Sequence, residues 1–188
     1  AKAGLEKLSF KVKETVLFQE AAVPKDAAAV IVAGPQKPLL EKEIFLLSDY
    51  LEKGQGRLLL LLDPDQGAEL KPLLGKYGLT LEDNIVVEVD PLSQFMGGSY
   101  FMPVVAKYPE HAITKGFGYA TLFPLARGLA RVTPAPAGVR VDFLAATSPN
   151  SWGETRYAEE VKTEKITRNP EDKGGPIDIA AACEGSGG

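Results

Sequence analysis

From Ala27 to Gly67 the chain reads AAAVIVAGPQKPLLEKEIFLLSDYLEKGQGRLLLLLDPDQG. An apolar run ends in Gly34-Pro35, an amphipathic segment follows and stops at Gly54, and a second apolar run, Leu58 to Leu62, ends in Asp63-Pro64. This predicts strand, helix and strand joined by short turns. Both strands are apolar at every residue rather than at alternate ones, the pattern of strands inside a parallel sheet covered on both faces. The helix over Leu39 to Lys53 sets Leu40, Ile44, Leu47 and Leu51 on one face, at spacings of four, three and four, with its charges largely elsewhere. Gly54 suits the left-handed position that closes such a helix. Leu39 and Leu40 stand where a Ser or Asp cap is preferred.

The flanking segments extend this unit. Ala1 to Leu8 reads as the end of a helix. Ser9 to Phe18 alternates, with Phe10, Val12, Val16 and Phe18 on one parity, and predicts a half-exposed strand near a sheet edge. Gly67 to Tyr77 is a second helix whose Pro72 must lie in its first turn, and Gly78 stops it. Ile85 to Val89 is the next strand. Asp90 to Glu110 has little periodicity and the length of a lid or binding loop. Thr121 to Val132 and Val139 to Leu144 read as strands split by a Pro-rich turn. Ala145 to Trp152 is rich in turn formers, and Glu154 to Lys173 is a solvated, densely charged loop or exposed helix. Ile177 to Cys183 is a final apolar strand. The expected fold is a three-layer α/β domain with a mainly parallel central sheet, flavodoxin-like, over residues 1–184, followed by a flexible tail at 185–188.

Composition narrows the classes of partner. The chain has 188 residues, 45% hydrophobic and 24% charged, enough for one domain with a core. Its net charge of −4 and pI near 5.2 come with no basic cluster, so nucleic acid is not expected as a partner. Cys183 is the sole cysteine, which excludes an internal disulfide and a cysteine-rich metal site. The longest apolar runs are about seven residues, against the ~20 that span a bilayer. The chain lacks an initiator Met, begins in a helix end and finishes in EGSGG directly after an apolar run, the pattern of a fragment excised from a longer protein. The missing span therefore says little about the parent.

Candidate chemistry is sparse. Ligands of open α/β sheets bind outside the carboxyl ends of the strands, where Asp63, Asp65 and Gln66 stand. Two carboxylates two residues apart can hold a divalent cation or serve as nucleophile and base. The simpler reading makes Asp63 a helix cap or an Asx turn before Pro64, and it is preferred because no second His, Asp or Glu cluster completes a site. Gly34-Pro35-Gln36 is a βα turn able to offer amides to an anion. GxGxxG and P-loop spacings are absent, so no nucleotide is implied, and neither a cofactor nor a metal is expected. His111, the only histidine, has no nucleophile motif to serve, and Cys183 reads as a small core residue. Trp152 is either a surface anchor for a partner or a core aromatic. Phe95, Tyr100 and Phe101 have the same two readings, with core packing slightly preferred.

Several segments in order carry a resemblance: VPKDAAAVIVAGPQKPL, YLEKGQGRLLLLLDP, KYGLTLEDNIVVEVDP, HAITKGF and ATSPNSW. Together they resemble the GldG-like auxiliary component of uncharacterised bacterial ABC-type transport systems related to gliding motility, from about Val23 to Glu184. Leu40 departs from the usual cap before the helix. The resemblance implies a domain on the periplasmic face of the cytoplasmic membrane, anchored by transmembrane helices at one or both ends, outside this fragment. It also implies association with ABC permease and ATPase subunits, and it assigns no catalytic residue. A more distant similarity is to class I glutamine amidotransferase-like domains. There a reactive Cys follows the apolar strand, where this chain has Asp63 after Leu62 and before Pro64. Without that Cys, and without its His-x-Glu partner, the chemistry is lost while the fold is kept. The expected function is that of a non-catalytic extracytoplasmic accessory domain acting through protein or ligand binding. The alternatives are a hydrolase or amidotransferase-like enzyme using Asp63, and a carbohydrate- or peptide-binding module using the Asp90–Glu110 loop and Trp152.

Overall fold

A computed structural model describes residues 2–53, 56–157 and 166–185. The strand–helix–strand unit forms as its pattern predicts. Strands β1 (Val30–Ala33) and β2 (Leu58–Leu61) are parallel, paired from Val30↔Leu58 to Ala33↔Leu61. Helix α2 (Glu41–Lys53) crosses between them, after a short N-terminal helix α1 (Lys2–Lys7). The unoccupied cap of α2 is filled by carboxylates reaching back. Glu43 Oε2 accepts from the Leu40 amide at 2.9 Å, the return half of a capping box, and Glu69 Oε1 accepts from the Leu39 amide at 2.8 Å. Gly54 lies outside the described residues.

Leu47, Leu70 and Leu73 are the buried centre of a core completed by Val30, Val32, Leu58, Leu60, Ile44 and Leu51. Leu46 of α2 is also buried, whereas Leu40 is half-exposed despite sharing the predicted helix face. Gly67 to Tyr77 divides into a 3-10 turn over Ala68–Leu70 and helix α3 (Lys71–Lys76), with Pro72 in the first turn.

The expectation of a three-layer fold with a mainly parallel central sheet, flavodoxin-like or class I glutamine amidotransferase-like, does not hold. Apart from β1–β2, every ladder among the described residues is antiparallel. Strand β3 (Leu79–Leu81) pairs with β7 (Leu129–Arg131), and β4 (Ile85–Glu88) pairs with β9 (Ser151–Glu154). Between these, β5 (Val104–Val105) pairs with β6 (Thr121–Leu122), while β8 (Val139–Ala146) carries the longest ladder, against β11 (Asp178–Gly185). Strand β10 (Lys173–Gly174) adds to β9 to make the order β10-β9-β4. The architecture is a set of small antiparallel sheets with one parallel pair. The physical reason lies in the connections. Parallel pairing needs a crossover of a dozen or more residues, and α2 is the only such helix among the described residues.

Three local readings change as well. Ser9 to Phe18 forms no strand; a 3-10 turn occupies Leu17–Gln19, and Phe10, Val16 and Phe18 are exposed. The segment is pinned to α2 by Lys42, whose ammonium donates to the Phe18 carbonyl at 2.6 Å and sits 5.2 Å from the Phe18 ring centroid. The stretch after Asp90 contains helix α4 (Pro91–Phe95), with Asp90 as N-cap accepting from the Leu92 and Ser93 amides. The turn-rich ATSPNSW runs directly into β9, whose four residues are all buried. The charged segment from Glu154 to Lys173 lies in part outside the described residues.

The β1–β2 pair is covered on one face only. Val30, Val32, Leu58 and Leu60 face the helices, while Ile31, Leu59 and Leu61 keep 42%, 48% and 49% of their surface exposed. Leu47→Ala should therefore cost about 2–5 kcal/mol of unfolding free energy, and Leu59→Ala about 1 kcal/mol or less. Denaturant titration of the two variants checks this, and equal losses would mean that the outward face is covered.

Candidate functional site

Strand β2 runs out into the turn Asp63-Pro64-Asp65-Gln66, and the turn is braced from within. The Gln66 amide donates to the Asp63 carbonyl at 3.0 Å, and the Asp63 amide donates to Gln66 Oε1 at 3.1 Å. Gln66 Nε2 donates to Asp63 Oδ2 at 3.2 Å. Gly67 follows with φ +76°, where a Cβ would stand 2.6 Å from Leu62 Cδ1, so the left-handed geometry and the close approach both call for glycine. Asp63 braces the turn through the side chain of Gln66; its carboxylate takes no backbone amide, so among the described residues it makes neither the Asx turn nor the helix cap expected of it.

Asp65 and Gln66 open on a cavity of about 320 Å³ whose other polar walls are Asp83, Asn84, Arg127, Thr155 and Tyr157. Arg127 fixes its shape. It is 7% exposed, on the segment just before β7. Its Nε donates to the Glu82 carbonyl at 2.9 Å and its Nη1 to the Gln66 carbonyl at 2.8 Å, while its Nη2 reaches Asp83 Oδ1 at 3.3 Å. One guanidinium thus ties the β2 turn to the link between β3 and β4. Burial lowers its pKa, opposed by the nearby carboxylates of Asp83 and Asp65; arginine starts so high that it stays protonated.

Asp83 is shared with Lys71, whose Nζ lies 2.7 and 2.8 Å from its two oxygens. That hydrogen bond, with the charges of Lys71 and Arg127, holds Asp83 below the usual carboxylate range. Asn84 is buried: its Oδ1 accepts from the Gly128 amide at 2.9 Å, and its Nδ2 donates to Glu82 Oε2 at 3.2 Å. A Cβ at Gly153 would collide with that amide.

Beside the cavity, β9 continues into a buried carboxylate network. Glu154 Oε2 accepts from Trp152 Nε1 at 3.0 Å, and Oε1 accepts from the Arg156 amide at 2.8 Å. Asp172 Oδ1 accepts from the Thr155 amide and hydroxyl at 3.1 and 2.9 Å, and Oδ2 accepts from the Asn169 amide at 2.7 Å. Burial pushes Asp172 up, but the Asn169 and Thr155 donors and the contact with Glu154 outweigh it and hold the group below the ordinary aspartate value. This network sets Thr155 at the cavity wall.

The remaining sequence candidates do not converge on the cavity. Phe95 is 89% exposed at the end of α4, Tyr100 is exposed and Phe101 is half-buried. Trp152 is buried in β9, in the position of a core aromatic, so its ring offers no surface anchor. His111 Nδ1 accepts from the Ile113 amide at 3.1 Å, closing its own turn. Burial raises the Cys183 thiol in β11. Arg127, Asn84, Asp83, Thr155 and Tyr157 escaped the sequence reading. The one signal available was an Arg-Gly pair interrupting the apolar run around Leu125 and Leu129. Among the described residues no group of three or more His, Cys, Asp or Glu is placed to hold a metal ion.

The family model of an ABC-type uncharacterized transport system matches residues 3–187. The chain belongs to this family of transport auxiliary components. Among solved structures the auxiliary component is similar to the mmIFT52 N-terminal domain, at 17% identity and a TM-score of 0.54, over 80% of this chain and 66% of that one. The likeness is one of fold, and the chain spans about two thirds of that domain's length. No curated protein sequence matches the auxiliary component. Among its described residues no helix is long and apolar enough to cross a membrane.

The Asp172 network predicts the acid limb of the stability curve. A carboxylate whose folded pKa is depressed stabilises the protein above its unfolded value of about 3.9, and that contribution fades as pH falls through the folded value. Stability measured by urea titration should drop below about pH 4, and Asp172→Asn should be less stable at neutral pH with a flatter acid limb. An acid limb of unchanged slope in the variant would exclude Asp172 as its source.

Proposed function

We propose that this auxiliary component is a GldG-like, non-catalytic domain working on the periplasmic face of the cytoplasmic membrane, in a transport system of the gliding-motility-related type. It is held there by membrane segments outside this fragment. It acts by binding protein subunits of its own ABC-type system, the permease directly and the ATPase through it. The family match supports the association with a transport system. The observation that carries the binding mode is the outward face of β1–β2. Ile31, Leu59 and Leu61 lie side by side there with 42–49% of their surface exposed, in strands whose sequence is apolar on both faces. Contiguous apolar surface of this kind marks an interaction site when it is not isolated. Leu92 and Phe95 of α4 and the following Tyr100 are exposed as well.

The parent protein should co-purify with its permease and ATPase in detergent. The pair Leu59→Lys and Leu61→Lys should weaken that complex by about tenfold or more, since tenfold is only 1.4 kcal/mol, while the thermal midpoint of the isolated domain stays within a few degrees. Unchanged affinity removes the β1–β2 face from the interface. Protease added to spheroplasts should digest the domain; its survival beside a digested periplasmic control would overturn the assigned side of the membrane.

A further inference from the structure

The cavity at the carboxyl end of β2 has walls of opposite charge. On one wall Arg127 lies against Asp83, and Asp83 is also paired with Lys71 from outside the lining, so its single carboxylate is matched by two cations and the Arg127 charge is not fully spent on it. Three donors of the Arg127 guanidinium are engaged, and its remaining Nη hydrogens have no acceptor among the described residues. Those three bonds hold the planar fork in a fixed orientation, which removes much of the entropic cost of binding a carboxylate with the rest. On the other wall Asp65 is exposed and makes no hydrogen bond or ion pair among the described residues, yet it is near enough for its charge to act on Arg127. Tyr157 adds a hydroxyl that is likewise without a hydrogen bond. The Thr155 hydroxyl donates to Asp172, so only its lone pairs face the cavity.

A structural role as brace accounts for the three engaged donors of Arg127 and for Asp83. It makes no use of the outer guanidinium edge, of Asp65 or of Tyr157. Charge selects among possible ligands. A simple anion received by Arg127 would also face Asp65, and a simple cation received by Asp65 would face Arg127; either leaves one wall opposed by like charge. A ligand carrying both charges a few ångströms apart satisfies both walls at once, and about 320 Å³ admits a small one.

We propose that this cavity binds a free α-amino acid, its carboxylate received by the outer edge of Arg127 and the Tyr157 hydroxyl, and its ammonium by Asp65. The site uses none of the residues assigned to the permease contact, and it stands or falls separately from that assignment.

The test is an amide chemical-shift titration of the 188-residue chain with glycine, L-alanine and L-leucine, set against acetate and methylammonium. Amino acids should shift the amides of Gln66, Gly128 and Thr155 saturably, with Kd on the order of 1 mM, and each half-ligand should bind about tenfold more weakly or worse. Asp65→Asn and Tyr157→Phe remove groups that make no hydrogen bond among the described residues, so both variants should keep the parent spectrum; Asp65→Asn should weaken amino-acid binding about tenfold. Acetate binding as tightly as glycine would overturn the proposal in favour of a plain anion site. Amino-acid affinity unchanged in Asp65→Asn, or no saturable shift with any amino acid, would overturn it in favour of Arg127 as a brace alone.

Discussion

Two buried carboxylates at opposite ends of one antiparallel ladder govern the far half of the molecule. In the β4–β9 register, Ile85 faces Glu154 and Glu88 faces Ser151, so each strand ends in an acid that is 0–1% exposed. Withdrawing a carboxylate from water costs several kcal/mol unless donors replace the lost hydration, and each end of the ladder recruits them from its own loop. Glu88 accepts from the Asp90 amide and from the amide and hydroxyl of Ser148. Glu154 accepts from the indole of Trp152 and the Arg156 amide. The loop conformations are therefore consequences of the two acids. Asp90, fixed by Glu88, goes on to cap α4; Thr155, beside Glu154, turns to Asp172 and the cavity.

The near half works on a different principle. Around Leu47, Leu70 and Leu73 the contacts are apolar, and polar groups serve only to trim the ends. Tyr50 donates to the Ala27 carbonyl at 3.1 Å, fastening α2 over the entrance to β1. Glu43 and Glu69 cap the start of α2. Arg127 couples the two halves, because its guanidinium carries the turn after β2 on one nitrogen and the link between β3 and β4 on another, and the Lys71–Asp83 pair adds a second tie from α3. A single buried cation spanning two segments gives the cavity rigid walls without a continuous sheet beneath it.

This division explains what could be read from the sequence. β1, α2 and β2 were legible because strand, crossover and strand are consecutive and their pattern is local. Pro72 in the first turn of α3 and Asp63 as a turn residue were legible for the same reason. The direction of the remaining strands was not. An apolar run such as Ile85 to Val87 fits a parallel or an antiparallel neighbour equally well, and its true partner begins at Ser151, far along the chain. Pairing at that separation is set by which loops can satisfy Glu88 and Glu154, which local periodicity does not record. The alternation of Ser9 to Phe18 misled because alternation yields a strand only when a free edge lies within reach. Arg127 was invisible because its importance comes from the carbonyls of Glu82 and Gln66, and backbone acceptors leave no mark on sequence.

The turn at Asp63 shows how fold and chemistry part company. The end of a parallel strand is where α/β proteins commonly place reactive side chains, and the β1–β2 pair keeps that geometry. Here the first residue of the turn is spent on holding Gln66, and Pro64 fixes the backbone that follows. The side chains that meet at the strand end come from elsewhere: Asp83 and Asn84 from the link between β3 and β4, Arg127 from the approach to β7, Thr155 from the exit of β9. A likeness of fold at 17% identity cannot carry such a constellation from one protein to another, because those side chains sit on connections. The fold supplies the place, and the antiparallel strands supply the groups that decide what the place recognises.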